Sequence, residues 1–523
     1  MPQTAVDGFC ANAQYSAFMK HLGVVLLYAL LVVTAAAQTN PSLEATNTVP
    51  NGRKMSLQDC IAEALKHNLD VQIQRYNPAI DLFELRASYG TAYDPVLNAS
   101  GTYNFNVQPG GFFDGIPLPP ETVKIDTFNA GIGGELPLTG LQYDFSGNIY
   151  QEHILESGIT TPNSIGSIGV KLTQPLLKNM WIDQDRLTIL VNKNTMQNSE
   201  QGFRYQVITS VTSVETAYYE LIYALENLKV QQEALTLSQT QLDQDLQRLQ
   251  IGTLAELSVQ QDRSQVAQNQ ANVITAQSTI ETDQNTLKNL ITDDYSSWHS
   301  SDIQPAETLS APLVLFNLQD SWSLGMTKRP DLIQYRLNVE KAGIQLKFDR
   351  NQLFPELDVI GTYGWNGDGL FYNGAFGQIN QGSAPYYSVG GQLSVPLASQ
   401  YTRNQFKSDK VSYKQVVLKL KQYEQSVLVG IDNAVKTAQS DYESVDATRQ
   451  ARVYAEAALD AEQKTYAVGK ATTFEVLTYQ NNLTAARGQE IRALANYEEA
   501  LATLYSQEGS TLDRLGINIE ATP

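Results

Sequence analysis

Histidine side chains, which supply many metal ligands and general bases near neutral pH, are few in this sequence. None of them stands at metal-ligand spacing from a second ligand, and no His-Glu-x-x-His motif occurs. Lone histidines of this kind usually lie at the surface or fill space in a core. The sequence therefore predicts no metal centre. The four histidines are His21, His67, His153 and His299.

The glycine-rich stretches do not fit a phosphate-binding loop. Gly469 and Lys470 are adjacent, but the upstream glycine of such a loop is missing. The stretch from Gly131 to Gly134 is followed by Pro137 rather than by a helix. No serine-centred nucleophile elbow occurs, and the many acidic residues are scattered along predicted helix faces. We therefore expect neither an enzyme nor a bound cofactor.

Glu475 stands six residues after Gly469, close to the predicted start of a long helix. The helix dipole alone favours a solvated carboxylate at such a place. Whether Glu475 does more than that depends on the elements that surround it.

The chain is internally duplicated. Leu57-Gln-Asp59 opens one copy and Leu318-Gln-Asp320 opens the other, and the correspondence continues into Gly101-Thr-Tyr103 and Gly361-Thr-Tyr363. Two copies are too few for a solenoid, which usually needs three or more. The halves must therefore pack on each other or on other subunits. We delimit repeat 1 as 55–292, a linker as 293–317, repeat 2 as 318–508 and a C-terminal tail as 509–523.

Each repeat contains a long helical hairpin, at 183–292 and at 401–508. The outgoing helix of repeat 1 carries apolar residues at heptad spacing, which predicts a coiled-coil seam from Val207 to Leu249. Gly252 and Gly469 mark the two turns. The return helices carry their own apolar stripes: Val259, Val266, Val273, Ile280 and Leu287 in repeat 1, and Phe474, Leu477, Leu483, Ile491, Leu494, Leu501 and Leu504 in repeat 2.

Each repeat also contains a β segment, at 95–174 and at 356–397, in which apolar and polar residues alternate. Strands are predicted at 356–365 and 386–397, with a loop over 366–385 between them. Repeat 1 has additional β material at 128–136 and 141–151, with a turn near Gly140. From the sequence alone, repeat 1 supports either two or four strands.

The N-terminus predicts export. Residues 1–37 form a signal peptide region, in which the apolar stretch from Leu22 to Val33 precedes Ala35-Ala-Ala37; residues 38–54 are an N-terminal extension. Since residues 1–18 do not fit this pattern, Met19 is a candidate for the true start, and the alternative to a cleaved signal peptide is an uncleaved N-terminal anchor. Cleavage would remove Cys10 and leave Cys60 without a disulfide partner. The formal net charge of -19 argues against a nucleic-acid partner.

The order of these features resembles the TolC-type outer-membrane efflux family over essentially the whole mature chain. The resemblance rests on the duplicated Leu-Gln-Asp starts, the Gln174-Pro-Leu-Leu177 junction, and the tip sequence Tyr466-Ala-Val-Gly-Lys470 followed by Thr473-Phe-Glu-Val-Leu477. It implies an α+β fold in which membrane β-barrel strands are joined to long antiparallel coiled-coil hairpins. It also implies a homotrimer whose helices form an α-helical tunnel across the periplasm of a Gram-negative-type cell.

The resemblance further implies an exit duct of a tripartite efflux or type I secretion system. Its partners would be outer-membrane lipid, a periplasmic adaptor protein and an inner-membrane pump of the RND or ABC type. Family members place acidic residues just past the second tip, where this chain has Glu475 and then Thr478. The tip residues Gly252, Thr253, Gly469 and Lys470 become adaptor-docking candidates. The alternative is a periplasmic coiled-coil structural or adhesin-like protein without a pore.

Overall fold

The computed structural model describes residues 52–117, 119–156 and 159–519, so the predicted signal peptide lies outside the described residues. No helix in these ranges is long and apolar enough to cross a membrane. The helices are α1 (Leu57–His67), α2 (Leu69–Tyr93), α3 (Gln184–Gln250), α4 (Glu256–Ile291), α5 (Tyr295–Trp298), α6 (Leu318–Lys328), α7 (Pro330–Asn351), α8 (Tyr372–Gln381), α9 (Gln400–Ala467), α10 (Thr473–Glu508) and α11 (Thr511–Leu515). The strands are β1 (Arg53–Met55), β2 (Val96–Gln108), β3 (Phe112–Phe113), β4 (Ile116–Pro117), β5 (Glu121–Glu135), β6 (Gln142–Glu156), β7 (Ile159–Pro175), β8 (Ile303–Pro305), β9 (Glu356–Gly369) and β10 (Pro385–Ser394).

The two helical hairpins, α3–α4 and α9–α10, form as the apolar periodicity and the turn glycines predicted. Helix α3 has 67 residues and is therefore about 100 Å long at 1.5 Å per residue. Asp183 caps its start, where the carboxylate accepts a hydrogen bond from the Arg186 backbone N–H at 2.7 Å. The core between α9 and α10 includes Ile431 and Tyr497, which are fully buried.

The predicted seam of α3 is correct in its first part and wrong in its last part. Residues from Val207 to Leu221 are buried at the heptad positions, but Leu235, Leu242, Leu246 and Leu249 are only half-buried. The buried positions shift instead to smaller and more polar side chains: Val230, Ala234, Ser238, Gln241 and Asp245. The small side chains let α4 approach, and Asn269 donates to the Ala234 carbonyl at 3.1 Å and to Ser238 Oγ at 3.0 Å.

The β segments form one antiparallel sheet with the strand order β10-β9-β7-β6-β5-β2. The additional β material of repeat 1 joins this sheet as β5 and β6, each of which has 15 residues. Repeat 1 therefore contributes four long strands and repeat 2 contributes two. Strands β2 and β10 lie at the two edges of the sheet.

The two faces of the sheet differ in polarity. Residues in register across all six strands form an apolar row on one face: Leu97, Ile132, Phe145, Val170, Tyr363 and Tyr387. A row on the other face is polar: Ser100, Asn129, Asn148, Ser167 and Asn366. This row is uncovered at both edges, since Leu97 is 73% and Tyr387 is 81% exposed, whereas α8 packs on the same face further along the strands, over Ile149 and Gly367.

The loop predicted at 366–385 is instead a strand extension and a helix. Strand β9 continues to Gly369, and α8 follows, ending at Gly382 with a φ of 63°. Ala375 of α8 is buried against the backbone of Gly367 and Gly369, where any side chain on either glycine would collide with the helix. Glycines that propensity assigns to a loop therefore provide the space for helix packing.

The segments between and after the repeats are also ordered. Within 293–317, β8 pairs in parallel with β1, and the Tyr218 hydroxyl of α3 donates to the Met55 carbonyl at 3.1 Å. Within the tail, Arg514 of α11 forms an ion pair with Glu215 of α3. A predicted linker and a predicted tail thus pack against the outgoing helix of repeat 1.

Candidate gate and docking tips

Both hairpin tips use the same turn. The Thr253 N–H donates to the Arg248 carbonyl at 2.9 Å and the Gly252 N–H donates to the Leu249 carbonyl at 3.0 Å. At the second tip, the Lys470 N–H donates to the Thr465 carbonyl at 3.1 Å and the Gly469 N–H donates to the Tyr466 carbonyl at 3.0 Å. This is the Schellman pattern, which requires a left-handed residue; Gly252 and Gly469 have φ values of 78° and 76°.

The tips present uncovered apolar side chains to solvent. Ile251 and Val468, which precede the two turn glycines, are 74% and 69% exposed. Leu257 is also exposed, and so are Thr253 and Lys470. The predicted docking residues therefore lie in accessible turns. Ile251 and Val468 have a signal in the sequence, since each is a large apolar residue beside a turn glycine, whereas Leu257 has none.

Glu475 belongs to a capping box at the start of α10. Its carboxylate accepts from the Thr472 N–H at 2.7 Å and from the Thr472 hydroxyl at 2.9 Å, while Thr472 Oγ1 accepts from the Glu475 N–H at 3.3 Å. The backbone hydrogen bond from Thr472 lowers the pKa of Glu475. This exposed carboxylate is therefore charged at neutral pH, and the cap fixes its position.

Thr478 lies one turn further along the same exposed face, where its hydroxyl donates to the Phe474 carbonyl at 2.8 Å. Phe474 was predicted to belong to the buried stripe, but it is 65% exposed. Thr473 takes its place in the interior and is 2% exposed. The early face of α10 thus presents Phe474, Glu475 and Thr478 together.

Just behind the tips, a buried polar cluster joins the two hairpins. Asp245 of α3 accepts from the Tyr466 hydroxyl at 2.6 Å, from Thr473 Oγ1 at 3.2 Å and from Gln241 Nε2 at 3.0 Å. Asp262 of α4 is fully buried beside it. This cluster was not predicted from the sequence. The available signal was the presence of polar residues in α3 at the spacing expected for buried positions.

Further contacts join the hairpins along their length. Gln265 of α4 and Asn481 of α10 exchange amide hydrogen bonds of 2.9 and 3.1 Å. Arg492 Nη1 of α10 donates to both carboxylate oxygens of Glu220 at 2.8 and 2.6 Å. These exposed and half-buried polar pairs therefore brace the two repeats against each other.

In the described part of the chain, no group of three or more His, Cys, Asp and Glu residues could hold a metal ion. Cys60 is buried in α1, and burial raises the pKa of its thiol to about 12. The thiol is therefore protonated and unreactive at neutral pH.

Comparisons with known proteins agree with this architecture. A model of the outer membrane efflux protein family matches residues 145–292 and 325–510. The outer membrane protein TolC of Escherichia coli strain K12 is 24% identical over 390 residues, which cover 71% of this chain and 76% of that protein. Toxin and drug export protein A of Aggregatibacter actinomycetemcomitans is 26% identical over 242 residues, 45% of this chain and 49% of that protein.

Solved structures show the same fold. The outer membrane protein VceC of Vibrio cholerae superposes with a TM-score of 0.63 at 16% identity, covering 87% of this chain and 96% of that one. The open state of the MtrE outer membrane channel of Neisseria gonorrhoeae gives 0.62 at 15% identity, covering 93% and 99%. With the family model matching most of both repeats, the chain belongs to the outer membrane efflux protein family.

Proposed function

We propose that the protein is a trimeric exit duct that carries substrates across the periplasm and the outer membrane. The observation that carries the proposal is the six-stranded sheet, which joins two long helical hairpins and leaves a row of apolar side chains and two edges uncovered. Its membership of the outer membrane efflux family places the chain in the outer membrane, with the hairpins in the periplasm. The alternative of a poreless structural or adhesin-like protein explains the hairpins but not the two-faced sheet.

The direction of the edge strands supports closure by further copies of the chain. Adjacent strands are antiparallel throughout the sheet, so β2 and β10 run in opposite directions. Strand β10 of one subunit can therefore continue the antiparallel pattern by pairing with β2 of the next. Since an unpaired edge is not tolerated in lipid, the ring must close. Three subunits of six strands each give a barrel of about 18 strands, a size that leaves an aqueous channel.

Because a barrel of this size is wide, we expect the duct to be narrowest at the helical tips. The exposed face of Phe474, Glu475 and Thr478 is where we place the periplasmic gate. Three copies of Glu475 would form a single ring of charge, since Thr478 adds none. Such a ring attracts cations and is screened by salt over about 10 Å at 0.1 M.

The exposed tips are where we place the periplasmic adaptor protein, which would connect the duct to an inner-membrane pump of the RND or ABC type. Ile251 and Val468 offer apolar contact area, and Lys470 and Thr253 offer polar contacts beside them. The two tips share one turn geometry, so six similar docking sites per trimer are expected. Whether the neighbouring gene encodes a proton-driven pump or an ABC transporter would help to distinguish drug efflux from protein secretion.

Conductance of the purified protein in a planar bilayer tests the proposal. A duct gives discrete channel openings, and the protein migrates as a heat-modifiable trimer in the outer-membrane fraction. A monomer that stays out of that fraction and gives no openings would favour the poreless alternative.

A further inference from the structure

Just behind the tips, the first hairpin contains a pair of buried aspartates, Asp245 on α3 and Asp262 on α4, and Asp245 is the residue that the second hairpin contacts. Both side chains have no exposed surface. They lie within hydrogen-bonding reach of each other. Tyr466 at the end of α9 and Thr473 at the start of α10 complete the cluster, so residues of all four long helices meet at this point.

The two aspartates differ in their partners. Asp245 accepts from Tyr466, Thr473 and Gln241, and Arg248 Nη1 lies 3.9 Å from its Oδ1. The Arg248 guanidinium also stacks over the Tyr466 ring at 4.3 Å. These contacts fit a carboxylate at Asp245. Neither carboxyl oxygen of Asp262, in contrast, has a hydrogen-bond partner when the group is ionised.

A proton on Asp262 resolves this imbalance. The protonated carboxyl can donate to Asp245, whereas the ionised carboxyl would be a buried negative charge facing a second one without a cation of its own. Burial and then the charge of Asp245 raise the pKa of Asp262 to about 7. The proton is therefore gained and lost within the range that a bacterium's surroundings cover.

The charged and titratable groups around the pair come from each packed helix. Helix α3 supplies Arg248, which lies on the Asp245 side, and α9 supplies the phenol of Tyr466. Helix α10 supplies the neutral Thr473, while its Glu475 is exposed and bound to its own cap. None of these contacts brings a cation to Asp262 that could take the place of its proton.

We propose that the Asp245–Asp262 pair is a pH-dependent latch: one shared proton holds α4 against α3 and the α9–α10 turn, and its loss drives α4 away from both. The latch closes below neutral pH and loosens above it, because an acid that prefers its proton in the packed state loses that stabilisation as the pH rises. Its consequence for conduction rests on the proposed duct function. The movement of the tips does not.

Spin labels on the tips test the latch without any measurement of transport. Labels at the exposed positions Leu257, on α4, and Val468, in the second turn, in trimers diluted with unlabelled chain, report the distance between α4 and the α9–α10 turn of one subunit by double electron–electron resonance. In the otherwise native protein, we expect a compact distance distribution at pH 5.5 that broadens and lengthens by pH 8.5, with a midpoint near the pKa of about 7.

Three variants sharpen the result. Asp262→Asn replaces the protonated acid by an amide that can donate to Asp245, so the compact distribution should persist at every pH. Asp245→Asn removes the opposing charge but keeps an acceptor for Tyr466, so the midpoint should move to lower pH. Asp243→Asn, on the exposed side of α3 two residues away, removes the same charge and should behave as the native protein.

A native distribution that does not change between pH 5.5 and 8.5 would overturn the latch. So would a pH-dependent change that persists unaltered in Asp262→Asn. If the distance changes with pH as expected but the protein shows no channel openings, the latch is supported and the duct function is contradicted. If Asp262→Asn fails to assemble, the midpoint shift in Asp245→Asn decides the question.

Discussion

Arg514, in the short helix α11, forms an ion pair with Glu215, a residue of α3 that is only 1% exposed. The Arg514 guanidinium also stacks over the Tyr505 ring at 4.4 Å. These contacts fix the chain after α10 against the outgoing helix of repeat 1. A short C-terminal segment thereby fastens one repeat to the other.

Replacing Arg514 by methionine should destabilise the protein because it leaves a buried carboxylate without its partner. Removal of one member of a buried pair typically costs about 3 kcal/mol or more, and the partial exposure of Arg514 places the expected loss at the lower end. Thermal dissociation of the trimer, followed by gel mobility, measures it. Lys436→Met removes an exposed cation that pairs with Asp432 and should change the midpoint little.

The pH dependence of this loss has a definite sign. Burial raises the pKa of Glu215 even with Arg514 present, so protonation of this carboxylate is easier in the folded state than in the unfolded chain. In Arg514→Met, protonation at low pH neutralises the unpaired carboxylate. The difference in dissociation temperature between native protein and variant should therefore be larger at pH 8 than at pH 5. A difference that is independent of pH would mean that packing, rather than charge, explains the effect.

The tip glycines should be sensitive to substitution for conformational reasons alone. A Cβ on Gly469 meets no atom within 4 Å, but the φ of 76° is strained for alanine, so Gly469→Ala should cost about 1 kcal/mol. Gly469→Asn, which tolerates this region better, should cost less. Gly488→Ala is a matched control of opposite sign, since Gly488 is helical and its Cβ also meets nothing; it should stabilise α10 by about 1 kcal/mol. Thermal dissociation of the three variants distinguishes these outcomes.

How far the sequence could predict these features depends on the range of the interactions. The ends of α3, at Asp183 and Gly252, are set by residues within one turn, so capping signals located them. The Tyr466–Asp245 contact joins residues 221 positions apart and has no local signature. Helix α8 was missed because its glycine- and asparagine-rich sequence has poor helix propensity, and packing on Gly367 overrides it. The number of strands in repeat 1 could be decided only from the structure, in which β5 pairs with both β2 and β6.

Neutralising Glu475 tests its place in the gate. Glu475→Gln keeps a side chain that can complete the capping box, while it removes the charge. If three copies line the constriction, single-channel recordings should show weaker block by multivalent cations and lower cation selectivity. Glu256→Gln, in the first turn of α4 just past the other tip, is the matched control. If cation block and selectivity are unchanged in Glu475→Gln, Glu475 only caps the helix and has no part in the gate.

Disulfide trapping between β2 and β10 tests the closure of the barrel. Cysteine at Ser100, which lies on the polar face of β2, is combined in turn with cysteine at Ser388, Gly390 or Gln392 on the same face of β10, in a chain that lacks the native Cys10 and Cys60. Directly opposed residues in antiparallel strands have Cα atoms about 4.5 to 5.5 Å apart, within the range that a disulfide spans. The three β10 positions are two residues apart and therefore sample three neighbouring registers, and the combination that lies opposite Ser100 should give covalent trimers on non-reducing gels. Ser100 combined with Ser167, which lies in the middle of the sheet, should give none. Intersubunit bonds in none of the β10 combinations would mean that the edges are not joined in this way, and the barrel of about 18 strands would have to be abandoned.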